Sequence, residues 1–362
     1  MGFAPTEVRW LSSLGVNSGC FVAVRVKHSG PFRWRVSTGI CCLLAGLAAL
    51  CGSPQQVTAA PPMSTELRPA VSVTTEALLL WRDGGPDRPL YFDNANPAIV
   101  PLDAGMITTG MAAGPRYRID LSPSGEGAWE FNYFNVRSFT GSRSVDSPQG
   151  DLEQDDIFGY LFPDVTSAQA VASSGIQSFE LSRREPLARF DGDFLYGFRW
   201  VEWNDRLAIT DTTVTGTLTG SDRFIADTFD SLYGAQVGLD MVLLGDRDRA
   251  WIEGLGKAGI YYNNASQSSF VDSVTTTQVS RSGSKSVDRT SFFGELGFTG
   301  CVRLGEHWTA RAGFTMFWLG NGTAAADQLS VNNLFSSDIE TGIDTGSSVF
   351  LYGVNLGLQA AW

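Results

Sequence analysis

The sequence predicts an all-β protein: a transmembrane, antiparallel, up-and-down β-barrel of about ten strands, with short periplasmic turns and long extracellular loops. The first observation is the alternation within the final segment, 347–362. One face of it carries Phe350, Tyr352, Val354, Leu356, Leu358, Ala360 and Trp362. The other carries Gly353, Asn355, Gly357 and Gln359. A period of two with one apolar face and one small or polar face is typical of a strand between lipid and a barrel interior.

The second observation is the order of strands and connections. Strand-like segments fall at 71–82, 110–121, 127–139, 175–184, 190–203, 228–244, 249–264, 287–304, 306–320 and 347–362. Short turns at 122–126, 185–188, 245–248 and 305–306 alternate with long connections at 83–109, 140–174, 204–227, 265–286 and 321–346. This is the pattern of ten up-and-down strands whose two termini lie in the periplasm. Twelve strands are the alternative, if 207–219 and 270–280 pair as additional strands.

Individual strands repeat the alternation unevenly. The apolar face of 306–320 is Trp308, Ala310, Ala312, Phe314, Met316 and Trp318, and that of 228–244 is Phe229, Tyr233, Ala235, Val237, Leu239 and Met241. Segments 71–82 and 127–139 alternate less cleanly, because Leu78, Leu80 and Phe134 fall on the presumed inner face. The long loops are rich in Ser, Thr, Asp, Asn and Gly, so we expect them to be exposed and mobile, without a buried core.

The chain is predicted to comprise an N-terminal extension with a signal peptide (1–59), a linker (60–70) and the barrel (71–362). Arg33 and Arg35 supply a positive region, 40–50 an apolar run and 57–59 a small-residue cleavage motif, which is the order of a Sec signal peptide. We expect export with cleavage near Ala59. The alternative is a transmembrane anchor, but the apolar run is shorter than the roughly 20 residues that a spanning helix needs.

Charge and cysteine content exclude several classes of function. The chain has 26 basic and 38 acidic residues, a net charge of −12. Nucleic-acid binding needs clustered Lys and Arg, and the sequence has no such cluster. Cys301 is the one cysteine that follows the predicted cleavage site, so we expect neither an intrachain disulfide nor a thiolate metal site.

Charged residues of both signs fall on the inner faces of the predicted strands. They are Glu76, Arg116, Arg118, Asp120, Glu130, Glu180, Arg184, Asp193, Arg199, Asp240, Glu253, Lys257, Glu295, Arg303 and Arg311. Two interpretations are open: a charged constriction that filters small ions or solutes, or an ion-pair network that plugs and stiffens the barrel. A ten-stranded barrel is only slightly wider than the eight-stranded size that side chains fill, which favours the network. The candidates for setting selectivity, if a pore exists, are Arg199, Glu253, Lys257, Glu295, Arg303 and Arg311.

Enzymatic function is not expected. Omptin-like barrel proteases need a histidine with acidic partners at the extracellular rim, and barrel phospholipases need Ser and His on the outer face. His307 is the one histidine that follows the predicted cleavage site, and it lies beside the Gly305–Glu306 turn on the predicted periplasmic side. The sequence therefore predicts no catalytic residue, cofactor site or metal site, and its acidic loops lack the EF-hand spacing.

Five short segments carry a resemblance to a known family. They are 76–80 (EALLL), 194–200 (FLYGFRW), 232–238 (LYGAQVG), 294–298 (GELGF) and 350–358 (FLYGVNLGL). In this order and spacing they resemble the planctomycete outer-membrane family called beta-barrel porin group seven. The resemblance implies a barrel in the outer envelope of a planctomycete-like bacterium, and it implies no catalytic residue. A porin name inferred from a fold does not fix function.

The sequence thus predicts a barrel in the outer membrane of a Gram-negative-type bacterium, with membrane lipid as its partner and small solutes or ions as candidate ligands. Its function would be that of a narrow porin or of a structural barrel that displays extracellular loops. The alternative is a secreted or surface-attached β-rich binding protein without a membrane span. No oligomeric state is predicted.

Overall fold

A ring of ten antiparallel strands dominates the computed structural model, which describes residues 68–362 except 125–126, 148, 156, 160–163, 216–217 and 275–278. The predicted signal peptide and most of the predicted linker lie outside the described residues. In chain order the strands are Val71–Arg82 (β1), Pro89–Asp93 (β2), Leu102–Asp103 (β3), Ala112–Leu121 (β4), Ala128–Asp146 (β5), Leu152–Gln154 (β6), Val165–Pro186 (β7), Gly192–Thr215 (β8), Leu218–Asp246 (β9), Ala250–Ser273 (β10), Val279–Arg303 (β11), Trp308–Gly322 (β12), Asn332–Asn333 (β13), Glu340–Thr341 (β14) and Ser347–Ala361 (β15).

The ring confirms the predicted up-and-down barrel. Strands β1, β4, β5, β7, β8, β9, β10, β11, β12 and β15 pair in this order, and β15 pairs with β1. At this seam Val71 and Trp362 exchange backbone hydrogen bonds, with N···O distances of 3.1 and 2.9 Å. The short strands β2, β3 and β6 continue the sheet from the end of β7, and β13 pairs with β14. Closure matters because an open strand edge cannot be hydrogen-bonded by lipid.

The four predicted short turns lie together at one end of the ring, as predicted. They join β4 to β5, β7 to β8, β9 to β10 and β11 to β12. We name this end the turn end and the opposite end the cap end. Both Val71 and Trp362 lie at the turn end, since β1 begins and β15 finishes there.

Two adjacent rows of side chains mark a sharp boundary on the outer surface. The first row is aromatic, and its members lie directly opposite one another across β4, β5, β7, β8, β9 and β10: Tyr117, Tyr133, Phe179, Trp200, Tyr233 and Tyr262. The second row lies two residues closer to the cap end and is polar: Asn135, Gln177, Glu202, Ser231, Asn264 and Asp288. Aromatic rings followed at once by polar groups are typical of a membrane interface.

Six strands continue well past this boundary. Along β8 the outward side chains change from Phe194, Tyr196 and Phe198 to the polar Asn204 and Arg206. Inward apolar side chains, such as Leu207 and Ile209, become more frequent in the same part of the strand. β9 has 29 residues, whereas a spanning strand needs only about 9–11. We name the parts of β5, β7, β8, β9, β10 and β11 beyond the polar row the extension.

The extension corrects two predictions. The predicted loops 204–227 and 265–286 consist mainly of strand. Many of their Ser and Thr residues face outward, while the inner face holds apolar residues such as Leu207, Ile209 and Val271 beside buried polar ones such as Thr213 and Ser269. The described parts of 207–219 and 270–280 lengthen existing strands and add none to the ring, so the twelve-stranded alternative is wrong.

Three long connections fold inward at the cap end. We name the described residues of 83–111, 147–164 and 323–346 the cap. Their apolar side chains pack against the inner face of β7, β8, β9 and β10 in one buried cluster, in which the cap contributes Leu90, Tyr91, Leu102, Ala104, Ile107, Leu152, Ile157, Phe158, Ala325, Ala326, Leu329 and Leu334. The expectation of loops without a buried core is therefore wrong here. These few apolar residues are enough to form a core because the inward apolar side chains of the extension pack against them.

Two short 3₁₀ helices lie in the cap, at Ala104–Met106 and Ala326–Leu329. Asp103 caps the first, since its carboxylate accepts a hydrogen bond from the Gly105 N–H at 2.7 Å. Of the helices in the described part of the chain, none has the length and hydropathy needed to span a membrane.

Candidate functional site in the barrel lumen

Toward the turn end, the inner faces of the strands carry a buried layer of charged side chains. Five of the six predicted lumen residues lie in it, between 1% and 8% exposed: Arg199, Glu253, Lys257, Glu295 and Arg311. The alternation of each strand positions them, as where Arg199 points inward between the outward Phe198 and Trp200. These five side chains form ion pairs and hydrogen bonds with further buried carboxylates and guanidinium groups of the same layer.

Lys257 lies between two carboxylates from other strands. Its Nζ donates to Glu130 Oε1 at 2.7 Å and to Glu180 Oε1 at 2.6 Å, and all three side chains are at most 2% exposed. A buried ammonium group is tolerated only when opposite charge and hydrogen bonds replace its water. Lys257 therefore binds β10 to β5 and β7 across the lumen.

Arg199 and Glu295 form the second contact across the lumen. Arg199 Nη1 donates to Glu295 Oε2 at 2.8 Å and its Nε to Ser178 Oγ at 2.9 Å. Arg116 donates to the other Glu295 oxygen. The Arg199 guanidinium also lies 4.6 Å from the ring centroid of Phe293, so one face of the cation contacts an aromatic ring.

Arg184 and Arg311 complete the layer. Arg184 bonds to Glu130, Asp193 and Asp240, the second of these at 3.0 Å. Asp193 also accepts from Arg68, at the start of the described chain. Arg311 Nε lies 3.2 Å from Glu76 Oε1, and its Nη2 lies 2.9 Å from Glu253 Oε2. Cations and anions thus alternate through the layer.

Arg303 does not join this layer. It is the last residue of β11, and its side chain is exposed at the turn end. The prediction of a lumen position is wrong for Arg303 because the strand reaches its end beyond the buried charges. Within the described residues Arg303 makes no ion pair with the layer.

An aromatic layer lies above the charges. Phe134, Phe293 and Phe317 stack, with ring centroids 4.9 Å apart for Phe134–Phe317 and 5.9 Å for Phe293–Phe317. Leu78 and Leu80 belong to the same buried cluster. The irregular alternation of β1 and β5 thus marks the height at which the lumen changes from charged to apolar.

Above the aromatic layer, two buried carboxylates hold the cap. Asp205 Oδ2 accepts from the Ala325 N–H at 3.0 Å, and Asp205 Oδ1 accepts from Arg82 at 2.6 Å. Asp230 Oδ2 accepts from the N–H of Thr323 at 2.9 Å and from its hydroxyl at 2.6 Å. The connection between β12 and β15 is therefore anchored to β8 and β9 by charge-assisted hydrogen bonds.

A third carboxylate holds β2. The Tyr91 hydroxyl donates to Asp211 Oδ2 at 2.6 Å, and both residues are almost fully buried. Burial raises the pKa of Asp211 to about 7, and the nearby Asp222 adds to the shift. Burial likewise raises the pKa of Tyr91 well above its ordinary value, so the phenol remains a donor.

Sequence reasoning missed Asp205 and Asp211 because it placed their segment, 204–227, in a loop, whereas Asp230 lies in the predicted strand 228–244. A usable signal existed: Asp205 and Asp211 occupy the same parity in β8 as the apolar Trp203, Leu207 and Ile209. A carboxylate on an apolar face is expected to have a specific buried partner.

His307 lies in the connection between β11 and β12 at the turn end, as the sequence indicates. Its Nδ1 is 3.0 Å from the Ala361 carbonyl oxygen, and its ring stacks on Trp362 with centroids 6.3 Å apart. The side chain is exposed, away from the carboxylates of the cap end. It therefore joins the connection between β11 and β12 to the end of β15.

No protein-family model matches the chain, and no curated protein matches it. Among solved structures it is similar to the outer membrane protease OmpT of Escherichia coli, with 8% identity over 81% of this chain and 96% of that chain and a TM-score of 0.46. It is also similar to the translocator domain of the autotransporter NalP of Neisseria meningitidis, with 9% identity over 90% and 98% and a TM-score of 0.36. A third is a FadL homologue of Pseudomonas aeruginosa, with 10% identity over 83% and 94% and a TM-score of 0.25. At such values the likeness concerns general architecture only.

The strand pairings define the class of this protein by themselves. A closed antiparallel ring with short turns at one end and a contiguous outward aromatic row is the fold of an outer-membrane β-barrel. This barrel carries a charged layer, an aromatic layer and a cap within one lumen.

Proposed function

We propose that the protein is a closed outer-membrane barrel whose role is to hold the extension and cap at the outer face of the membrane. The observation that carries this proposal is the contact of Lys257 with Glu130 and Glu180 across the lumen, with all three side chains buried. A pore at this height would have to break these contacts and leave charges unpaired in a region of low dielectric.

The outer surface supports the membrane location. The part of β8 from Gly192 to Trp200, which belongs to the aromatic row, is nine residues long. This length matches the roughly 9–11 residues of a spanning strand. Large apolar side chains face outward below the row, including Phe194, Phe198 and Val237. A soluble β-rich binding protein would have no reason to expose such a belt.

The orientation follows from the same boundary. The turn end would face the periplasm, and the extension would stand in water outside the cell. Export by a Sec signal with cleavage near Ala59 belongs to this proposal, as does membership of the planctomycete porin group that the five sequence segments resemble. Membrane lipid is the expected partner of the apolar belt.

The first experiment separates a membrane barrel from a soluble protein. The chain from Pro61 onward is folded in detergent, and its gel migration is compared with and without heating. A heat-dependent shift together with loss of solubility on detergent removal is expected. A protein that stays in solution without detergent would overturn the membrane location.

The second experiment tests closure of the lumen. Planar-bilayer recordings of the native barrel should show no steady conductance, because the charged and aromatic layers fill its cross-section. A variant with Lys257, Glu130 and Glu180 all changed to alanine removes the three side chains of this contact together, while Arg184 keeps Asp193 and Asp240 as partners. We expect intermittent current from it. The matched control, Arg206→Ala with Asp227→Ala, removes an exposed ion pair of the extension. A stable, ion-selective current through the native barrel would instead support a narrow porin.

A further inference from the structure

We propose that the cap end contains a binding site for one Ca²⁺-like hard divalent cation, with ligands from Asp211, Asp222, Gln154 and Thr213. This goes beyond the proposed role as a surface barrel and is independent of whether the lumen conducts.

The geometry brings two carboxylates together. Asp211 of β8 lies directly opposite Asp222 of β9, and both residues are at most 1% exposed on the inner face of the extension. Residues directly opposite on one face of an antiparallel pair have Cβ atoms about 4.5–5.5 Å apart. Two carboxylates held that close and away from water repel each other unless a cation or a proton lies between them.

A second observation comes from buried polar atoms around the pair. Gln154 is 0% exposed, and neither its Oε1 nor its Nε2 has a hydrogen-bond partner in the described residues. The same holds for Oδ1 of Asp211 and for Oγ1 of Thr213, which lies two residues further along the same face of β8. Buried polar atoms are normally satisfied, so unsatisfied oxygens on the strands β6 and β8, both neighbours of β7, indicate a ligand.

Gln154 and the carboxylate pair have Tyr91 as a common neighbour. Gln154 of β6 is directly opposite Tyr91 of β2, and the Tyr91 hydroxyl donates to Asp211 Oδ2 at 2.6 Å. The phenol fixes that carboxylate so that Oδ1 is available to a ligand, as outer-shell donors do at metal sites. On Asp222, Oδ1 accepts the Val274 N–H at 2.8 Å.

The donor chemistry selects the cation. Carboxylate, amide and hydroxyl oxygens are the ligands of hard cations, and Ca²⁺ accepts six to eight of them in flexible geometry. In the described residues, no three His, Cys, Asp or Glu side chains are placed to hold a metal, so the neutral oxygens of Gln154 and Thr213 are essential. No basic side chain is among the described groups that act on the Asp211 carboxylate, which leaves its charge for the cation. Extracellular Ca²⁺ modules bind with Kd values of about 10⁻⁴–10⁻³ M, and we expect that range here.

Isothermal titration calorimetry of the detergent-folded protein with CaCl₂ at pH 8, after chelation, tests the site. The native protein should bind one Ca²⁺ per chain. Asp211→Asn keeps an acceptor for Tyr91 but removes a charge, and we expect it to weaken binding by about tenfold or more. Asp227→Asn is the matched control, because Asp227 lies on β9 with its side chain 42% exposed and paired with Arg206, and its affinity should equal that of the native protein.

Several outcomes would overturn the site. Absence of binding to the native protein at pH 8 would contradict the proposal. Undiminished binding by Asp211→Asn would place any Ca²⁺ elsewhere. If that variant lacks the heat-dependent gel shift of a folded barrel, Gln154→Leu decides the question, since it keeps both carboxylates and removes one ligand oxygen. Unchanged affinity in Gln154→Leu would then contradict the proposal.

Discussion

At the scale of single residues, most buried charges of the lumen's charged layer are balanced by several oppositely charged side chains and not by one partner alone. The Lys257 ammonium group forms ion pairs with both Glu130 and Glu180, and Glu130 also accepts a hydrogen bond from Arg184. Exposed ion pairs contribute about 0–1 kcal/mol, but removal of one partner from a buried group leaves an uncompensated charge. Single substitutions in this layer should therefore cost more than combined ones.

Lys257→Met tests this difference. It preserves most of the side-chain volume but leaves two buried carboxylates without their shared cation, so we expect the barrel to lose about 3–5 kcal/mol of stability. Urea unfolding in detergent, followed by the heat-dependent gel shift, measures the loss. Lys285→Met, at an exposed position of β11, should have no effect. Adding Glu130→Gln and Glu180→Gln to Lys257→Met should recover part of the loss, and a failure to recover would show that packing, not charge, dominates.

The sequence predicts which of these residues face inward but not which of them meet. Parity within a strand places Arg199, Glu295 and Arg311 on inner faces, because a strand has a period of two. Their partners come from distant strands: Arg311 and Glu76 are 235 positions apart, and Arg116 and Glu295 are 179 apart. Such contacts depend on barrel closure and register, which no local pattern encodes. The prediction that Arg303 lies in the lumen is wrong, because parity does not reveal where a strand extends beyond the lumen.

At the scale of elements, one strand faces lipid along one part and water along another, because its apolar residues change from the outer face to the inner face. In β8 the apolar residues Phe194 and Phe198 face outward, and further along Leu207 and Ile209 face inward. The spanning parts could be predicted because outward apolar residues recur at every second position. The extension could not, because the reversal removes that signal and Ser and Thr residues then read as loop.

The pKa of Asp211 gives the extension a predicted pH dependence. Burial raises this pKa to about 7, above the roughly 3.9 of an unfolded chain. Since the folded state holds the proton more tightly, the stabilisation is complete below about pH 4 and is lost as pH rises through about 7. Without divalent cations, hydrogen-exchange protection of residues 207–215 and 218–226, corrected for intrinsic rates, should be higher at pH 5 than at pH 8. Asp211→Asn should remove the difference, and equal protection of the native protein at both pH values would contradict the prediction.

At the scale of the whole molecule, three buried layers lie along the lumen. The charged layer lies toward the turn end, the aromatic layer of Phe134, Phe293 and Phe317 lies above it, and the cap fills the extension. Each uses different physics: paired charges, aromatic packing and burial of inward-folded connections. Each layer therefore contributes to closing the lumen, and the loss of one should open it at most intermittently.

Shortening the cap tests this expectation. The Ala324 N–H donates to Ser347 Oγ at 3.2 Å, so a short Gly-Ser linker can replace 326–345 while Asp205 and Asp230 keep their contacts with Ala325 and Thr323. We expect this variant to show the heat-dependent gel shift of a folded barrel and to give no steady current in planar bilayers, because the charged and aromatic layers remain. Adding the alanine changes at Lys257, Glu130 and Glu180 should then give more current than those changes give in the intact chain. A steady current from the shortened cap alone would show that the cap, and not the membrane-spanning lumen, closes this barrel.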